Sequence, residues 1–151
     1  MKDLSILIEH LLSLSSFLQR LYLQSHLVHL NYEAPNFLGV HAFLKEQYDA
    51  HVEQFDMVSE HIRTLDHFVP LTRDELDAVC SCPFVELQSY DCCEMLMVYL
   101  QNLESMGIQA KAVGQCAREC EAPDIENDMA TLVGHAFKAA WFIKATLRSH
   151  G

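Results

Sequence analysis

The chain is poor in helix-breaking residues and in positive charge. Of its 151 residues only 5 are glycine and 4 proline, and no Ser/Gly-rich stretch or repeat divides it. That leaves no linker at which a second domain would begin, so residues 1–151 are expected to form one domain. Strict apolar-polar alternation is not sustained anywhere, which argues against a β fold. Lysine and arginine number 10 against 21 aspartate and glutamate, a formal charge of -11. Such a surface repels a phosphate backbone and draws in cations. DNA is an unexpected partner for a second reason: Lys2 is the only basic residue before Arg20, and the C-terminal Arg148-Ser-His-Gly is short, so there is no basic arm.

A long apolar run is also missing. Leu4, Ile6, Leu7 and Ile8 are bounded by Asp3, Glu9 and His10, with no small-residue cleavage site after them. Neither a signal peptide nor a membrane span is expected, and the reading is a cytoplasmic protein. The six cysteines fall at 80, 82, 92, 93, 116 and 120. Adjacent and near-adjacent thiols do not make a disulfide framework, so free thiols are expected. A zinc site from Cys80, Cys82, Cys116 and Cys120 is the alternative, against which stands the lack of a C-x-x-C knuckle.

What is present is helical periodicity in a chain that is 50% hydrophobic, enough for a real core. Leu7, Leu11, Leu14, Leu18 and Leu21 recur at three-and-four spacing and predict a first helix from Leu4 to about Asn31. Pro35 breaks the chain and suits the first turn of a second helix, expected from about Asn36 to Leu65. Its inward face is predicted to carry Phe37, Val40, Phe43, Leu44, Tyr48, Val52, Phe55, Val58 and Ile62. Thr72, with Glu75 three residues on, signals a short helix over about 73–79. A third long helix is expected from about Val85 to Glu119, weakened at Gly107 and Gly114, and a fourth from Pro123 to about Ser149. Met95, Met97 and Met106 read as core packing. The fold class is all-α: a four-helix bundle with a short extra helix in the central connection.

Metal-binding side chains concentrate in one stretch. His29 ends the first helix, His41 lies in the second turn of the next, and Asp56 and Glu60, four apart, project from one helical face. Imidazole with carboxylate suits Fe(II), and carboxylates tolerate Fe(III). Bundles that hold two irons within one subunit use Glu-x-x-His pairs, and this sequence contains none. His41 and Asp56 are about 22 Å apart along one helix, so a metal shared between them needs two subunits. Asp124, Glu126 and Asp128 open the last helix, where negative charge complements the helix N-terminus. A cation-focusing pore is the other reading of these three.

The run Leu21-Tyr-Leu-Gln-Ser-His-Leu-Val-His29-Leu-Asn-Tyr-Glu-Ala-Pro-Asn-Phe-Leu-Gly-Val-His41 resembles the first motif of the Dps family. Asp56-Met-Val-Ser-Glu60-His-Ile-Arg63 resembles its second, and Ala140-Trp141-Phe142 with Thr146-Leu147 is similar to its closing helix. The resemblance implies a ferritin-like bundle and a miniferritin cage, a homo-oligomer of twelve subunits with tetrahedral symmetry. It implies a ferroxidase that oxidises iron with hydrogen peroxide or oxygen, stores it, and limits oxidative stress. His29 and His41 would come from one subunit and Asp56 and Glu60 from its two-fold partner, with Asp124, Glu126 or Asp128 lining a three-fold pore. His26 matches the motif and is expected to pack or hydrogen-bond. Two departures stand out. Leu30 occupies a position where the family generally has Trp, and Lys45 one where many relatives carry Asp; a cation there would repel Fe(II) unless Glu60 or Glu46 pairs with it. The alternative is therefore a Dps-like cage whose ferroxidase centre has decayed, serving as a structural or interaction protein.

Overall fold

A computed structural model describes residues 4–148. Five helices follow one another: α1 (Leu4–Asn31), α2 (Phe37–Thr64), α3 (Arg73–Ala78), α4 (Cys92–Glu119) and α5 (Pro123–Arg148). Helix α1 packs along α2, α5 packs along α4, and α1 joins the pairs by packing on α4. The result is the expected four-helix bundle with a short helix in its central connection. The end of the last helix, expected at about Ser149, lies outside the described residues. No described helix is long and apolar enough to cross a membrane.

The apolar rows read from sequence form the core. Leu7, Leu11, Leu14, Leu18, Leu21 and Val28 of α1 are buried against Val40, Leu44, Val58 and Ile62 of α2 and the inner rows of α4 and α5. Phe37, Phe43, Tyr48 and Phe55 are half-buried, whereas Val52 and Met97 turn outward and are corrections to the expected faces. Met95 and Met106 are buried as expected. Gly107 does not interrupt α4. A Cβ there would lie 2.6 Å from the Phe137 ring and 3.1 Å from Ala136, so its absence lets α5 approach closely. Both α2 and α4 close with the same pair of bonds: His67 N–H to Ile62 O and Asp66 N–H to Arg63 O, and Ala122 N–H to Ala117 O and Glu121 N–H to Arg118 O. Asp66 and Glu121 take the left-handed conformation that this closure requires, at φ 64° and 57°.

The third long helix begins at Cys92, not near Val85. Asp91 caps it, accepting from Glu94 N–H at 2.9 Å, and residues before it run extended along the bundle. Buried Asn102 holds that strap: it accepts from Val85 N–H and donates to Val85 O and Gln24 Oε1, while Gln24 also donates to Val85 O. The N–H and C=O of Val85 are thus both satisfied by side chains from two helices, which holds this residue outside a helical ladder. Thr72 caps α3 through Glu75 N–H as expected, and Pro35 sits in the turn before α2, not in its first turn.

The centre of the bundle is polar at one level. His51 of α2 and Tyr99 of α4 are both fully buried. Their His51 Nε2 and Tyr99 hydroxyl are 2.7 Å apart, and His51 Nδ1 lies 2.8 Å from Gln54 Oε1. His135 of α5 stands 6.1 Å from His51, ring to ring, with its Nε2 on Gln47 Oε1 at 2.9 Å. Burial pushes His51 down to about 4, against the opposing Gln54 bond, and pushes His135 down as well.

Two outcomes follow from this core. Asn102→Ala strands the Val85 N–H and the Gln24 carbonyl and is expected to cost about 1–3 kcal/mol for each group left unpaired, read by denaturation. As pH falls from 6.5 towards 4, the unfolded chain takes a proton at His51 and the folded chain does not. Stability present above 6.5 is therefore lost across that window, by about 3 kcal/mol. Thermal melting at pH 7 and pH 5 should show a smaller loss for His51→Gln than for the unaltered chain.

Candidate metal centre

The short turn 32–36 reverses the chain so that the end of α1 faces the start of α2. Tyr32, buried, fixes it by donating to Asn36 Oδ1 at 2.7 Å. This places His29 and His41 ring on ring, 3.6 Å between centroids and 14° from parallel. Each bonds the other's backbone: His29 Nδ1 to His41 O at 2.7 Å, and His41 Nδ1 to His29 O at 2.8 Å. A carbonyl oxygen only accepts, so both Nδ1 atoms carry the proton. Both Nε2 lone pairs are then free and have no partner among the described residues. A backbone carbonyl on Nδ1 is how metal-ligating histidines are commonly oriented. Aromatic rings flank the pair: Phe37 stacks on His41 at 4.8 Å, and Tyr48 lies 5.2 Å from His29 and stacks on His26 at 4.1 Å. His26 also meets the Tyr22 hydroxyl at 3.4 Å, so it packs and hydrogen-bonds as expected.

Asp56 and Glu60 lie at the far end of α2, side by side and exposed. The hydrogen bond to Asp56 and then the Asp56 charge hold the Glu60 carboxyl above its ordinary range. Two carboxylates this close disfavour joint ionisation, and a cation between them removes the conflict. They line a surface hollow of about 300 Å³ together with Glu53, His61 and Asp128. Of the three acidic residues considered for a pore, Asp128 reaches this hollow, where its carboxylate lies 2.7 Å from His61 Nε2. Asp124 and Glu126 stand in the first turn of α5, where charge complements the helix end.

The histidine pair and the carboxylate pair do not meet. About 22 Å of α2 separates them, and no group of three or more His, Cys, Asp or Glu side chains among the described residues forms a cation site within one chain. Lys45 bonds neither Glu60 nor Glu46: its ammonium lies 3.0 Å from Asp49 and 5.4 Å from the Tyr48 ring centroid. Leu30 is exposed. The cysteines are free thiols. Burial pushes Cys82 and Cys116 up and a hydrogen bond to Cys92 pushes Cys93 up, which disfavours the thiolates a zinc site needs.

Sequence reasoning missed His51, Tyr99, His61 and His135. His51 sits seven residues from both Leu44 and Val58, so its register on the buried face was the available signal. His61 carried none, because its partner Asp128 is 67 positions away on another helix.

Asp56→Asn removes the repulsion that raises Glu60. The thermal midpoint should rise at neutral pH, where both carboxylates would otherwise ionise, with a smaller gain at acidic pH; a lowered midpoint at neutral pH contradicts this account.

The Ferritin-like domain family model matches residues 8–147. The fold is similar to that of antigen TpF1 from Treponema pallidum, with a TM-score of 0.87 at 22% identity over 95% of this chain and 92% of that one. It is similar to Dps from Staphylococcus aureus, with a TM-score of 0.88 at 17% identity over 97% and 98%. A dodecameric thioferritin from Bacteroides fragilis gives 0.91 at 12% identity over 97% and 87%. A search by sequence finds no curated protein that matches. The matched family model spans nearly all of the bundle, and the chain belongs to the ferritin-like domain family, with the fold of Dps proteins.

Proposed function

We propose that the protein is a miniferritin: a homo-oligomeric cage that takes up Fe(II), oxidises it and stores the product. The observation that carries this is the reciprocal bonding of His29 and His41, which sets the proton on both Nδ1 atoms of one stacked ring pair and leaves both Nε2 lone pairs without a partner among the described residues. Such a pair completes a coordination set with the acidic pair Asp56 and Glu60 when a two-fold-related copy supplies the latter. Imidazole and carboxylate together hold Fe(II), and the carboxylates favour the ferric product. The similarity to a dodecameric protein supports a dodecamer, and the surplus of negative charge supports attraction of Fe(II) to the assembly.

The chemistry balances simply. Two Fe(II) ions each give one electron to hydrogen peroxide, and with two protons the peroxide becomes two waters. Oxygen is the other oxidant to test. Removing Fe(II) and peroxide together limits hydroxyl-radical formation. The hollow that joins Asp128 and His61 to Asp56 and Glu60 suits a cation path towards the acidic pair.

Lys45 favours the second reading, a cage with a decayed centre, since a cation one turn from His41 opposes Fe(II). Its bond to Asp49 weakens that objection by offsetting the charge. Stopped-flow oxidation of Fe(II) by peroxide separates the two. The ferroxidase reading expects rapid oxidation that His29→Ala with Asp56→Ala abolishes while assembly persists. The decayed-centre reading expects slow oxidation that Lys45→Asp accelerates. Unchanged rapid oxidation in the double variant overturns the assignment of the site.

A further inference from the structure

The middle of the bundle holds a phenol and an imidazole that iron chemistry at the histidine and carboxylate pairs does not use. Tyr99 and His51 are both 0% exposed, and 2.7 Å separates the phenol oxygen from Nε2. The protons in this pair are fixed by bonding logic. Gln54 Oε1 accepts from His51 Nδ1–H, so His51 Nε2 is a bare lone pair and the Tyr99 hydroxyl donates to it. A buried tyrosine needs some acceptor, and an amide or a backbone carbonyl would serve. Here the acceptor is a basic nitrogen in a set tautomer.

That difference is chemical. A phenol that loses an electron becomes a very strong acid, so oxidation is easy only where its proton has somewhere to go. A hydrogen-bonded imidazole provides that place with almost no movement of heavy atoms. Burial adds two conditions. It raises Tyr99 well above the ordinary phenol range, so the proton does not leave before the electron. It keeps His51 neutral and able to accept at physiological pH. His51 also stands between the two half-sites on α2, about 15 Å of helix beyond His41 and about 7.5 Å before Asp56.

We propose that Tyr99 and His51 form a redox site, a reversible trap for one-electron oxidants of the hydroxyl-radical class. Tyr99 gives one electron to the oxidant, reducing hydroxyl radical to hydroxide, and its O–H bond breaks as the proton moves to His51 Nε2. The products are a neutral Tyr99 phenoxyl radical and a His51 imidazolium. An electron from a second Fe(II) returns to the phenoxyl oxygen, the proton moves back, and the pair is restored with Fe(III) as the by-product. This inference rests on the iron and peroxide reading for its source of oxidant, and not for the site itself.

Two arms test it on the assembled protein. In the first, iron-free protein is oxidised by azide radicals from pulse radiolysis and phenoxyl absorbance is followed. In the second, Fe(II) and peroxide are mixed and frozen for electron paramagnetic resonance. The expected result is a long-lived tyrosine radical in both arms, lost in Tyr99→Phe and in His51→Gln, which keeps an acceptor but no base. In the azide arm, replacing Tyr22, Tyr32, Tyr48 and the exposed Tyr90 together by Phe leaves Tyr99 as the one tyrosine of the five and should keep the signal, so the assignment stands even if Tyr99→Phe fails to assemble. A long-lived radical in the azide arm alone supports the redox site and counts against the iron reading. The absence of a long-lived radical in the azide arm, or its survival in an assembled Tyr99→Phe variant, overturns the inference.

Discussion

A rigid helix keeps its residues apart. His41 and Asp56 share α2, and fifteen residues of helix hold them about 22 Å from each other. Everything distinctive about this chain follows from that separation. At one end of α2 His41 pairs with His29 of α1, leaving two free lone pairs, and the other end carries a carboxylate pair that resists joint ionisation. Each lacks what the other supplies. In the function proposed here a second copy, turned end for end, brings them together, so the assembly is a condition of the chemistry.

The histidine pair owes its geometry to packing more than to any local signal. Rows of leucine and valine on α1 and α2 hold the two helices side by side, and the buried Tyr32 bond to Asn36 sets the turn between them. Within that frame the two Nδ1 atoms find the opposite carbonyls, which orients both rings at once. The bundle centre achieves a similar result by other means. Gln54 fixes the tautomer of His51, and His51 in turn receives the Tyr99 hydroxyl.

Much of this was readable in the sequence because it is periodic or locally spaced. The Leu7 to Leu21 row, the Thr72 and Glu75 cap, and the four-residue interval of Asp56 and Glu60 all depend on helix geometry alone. The start of α4 at Cys92 was not readable. Asn102 and Gln24 draw residues near Val85 into an extended strap, and that contact spans 17 and 61 positions. Nor were the His61 bond to Asp128 and the His51 bond to Tyr99, which join residues 67 and 48 positions apart. Lys45 shows the same limit from the opposite direction, since its residue type suggested a pairing with Glu60 or Glu46 and its actual partner is Asp49, one turn on.

The shared site is tested most directly by mixing subunits. One variant lacks both histidines (His29→Ala, His41→Ala), the other both carboxylates (Asp56→Ala, Glu60→Ala), and each alone should be inactive in Fe(II) oxidation. Unfolded together and reassembled, they form some interfaces in which an intact histidine pair faces an intact carboxylate pair. Recovery of oxidation in the mixed assembly is the expected result. Mixed assemblies that form and stay inactive, or either variant retaining full activity alone, would contradict a site built from two subunits.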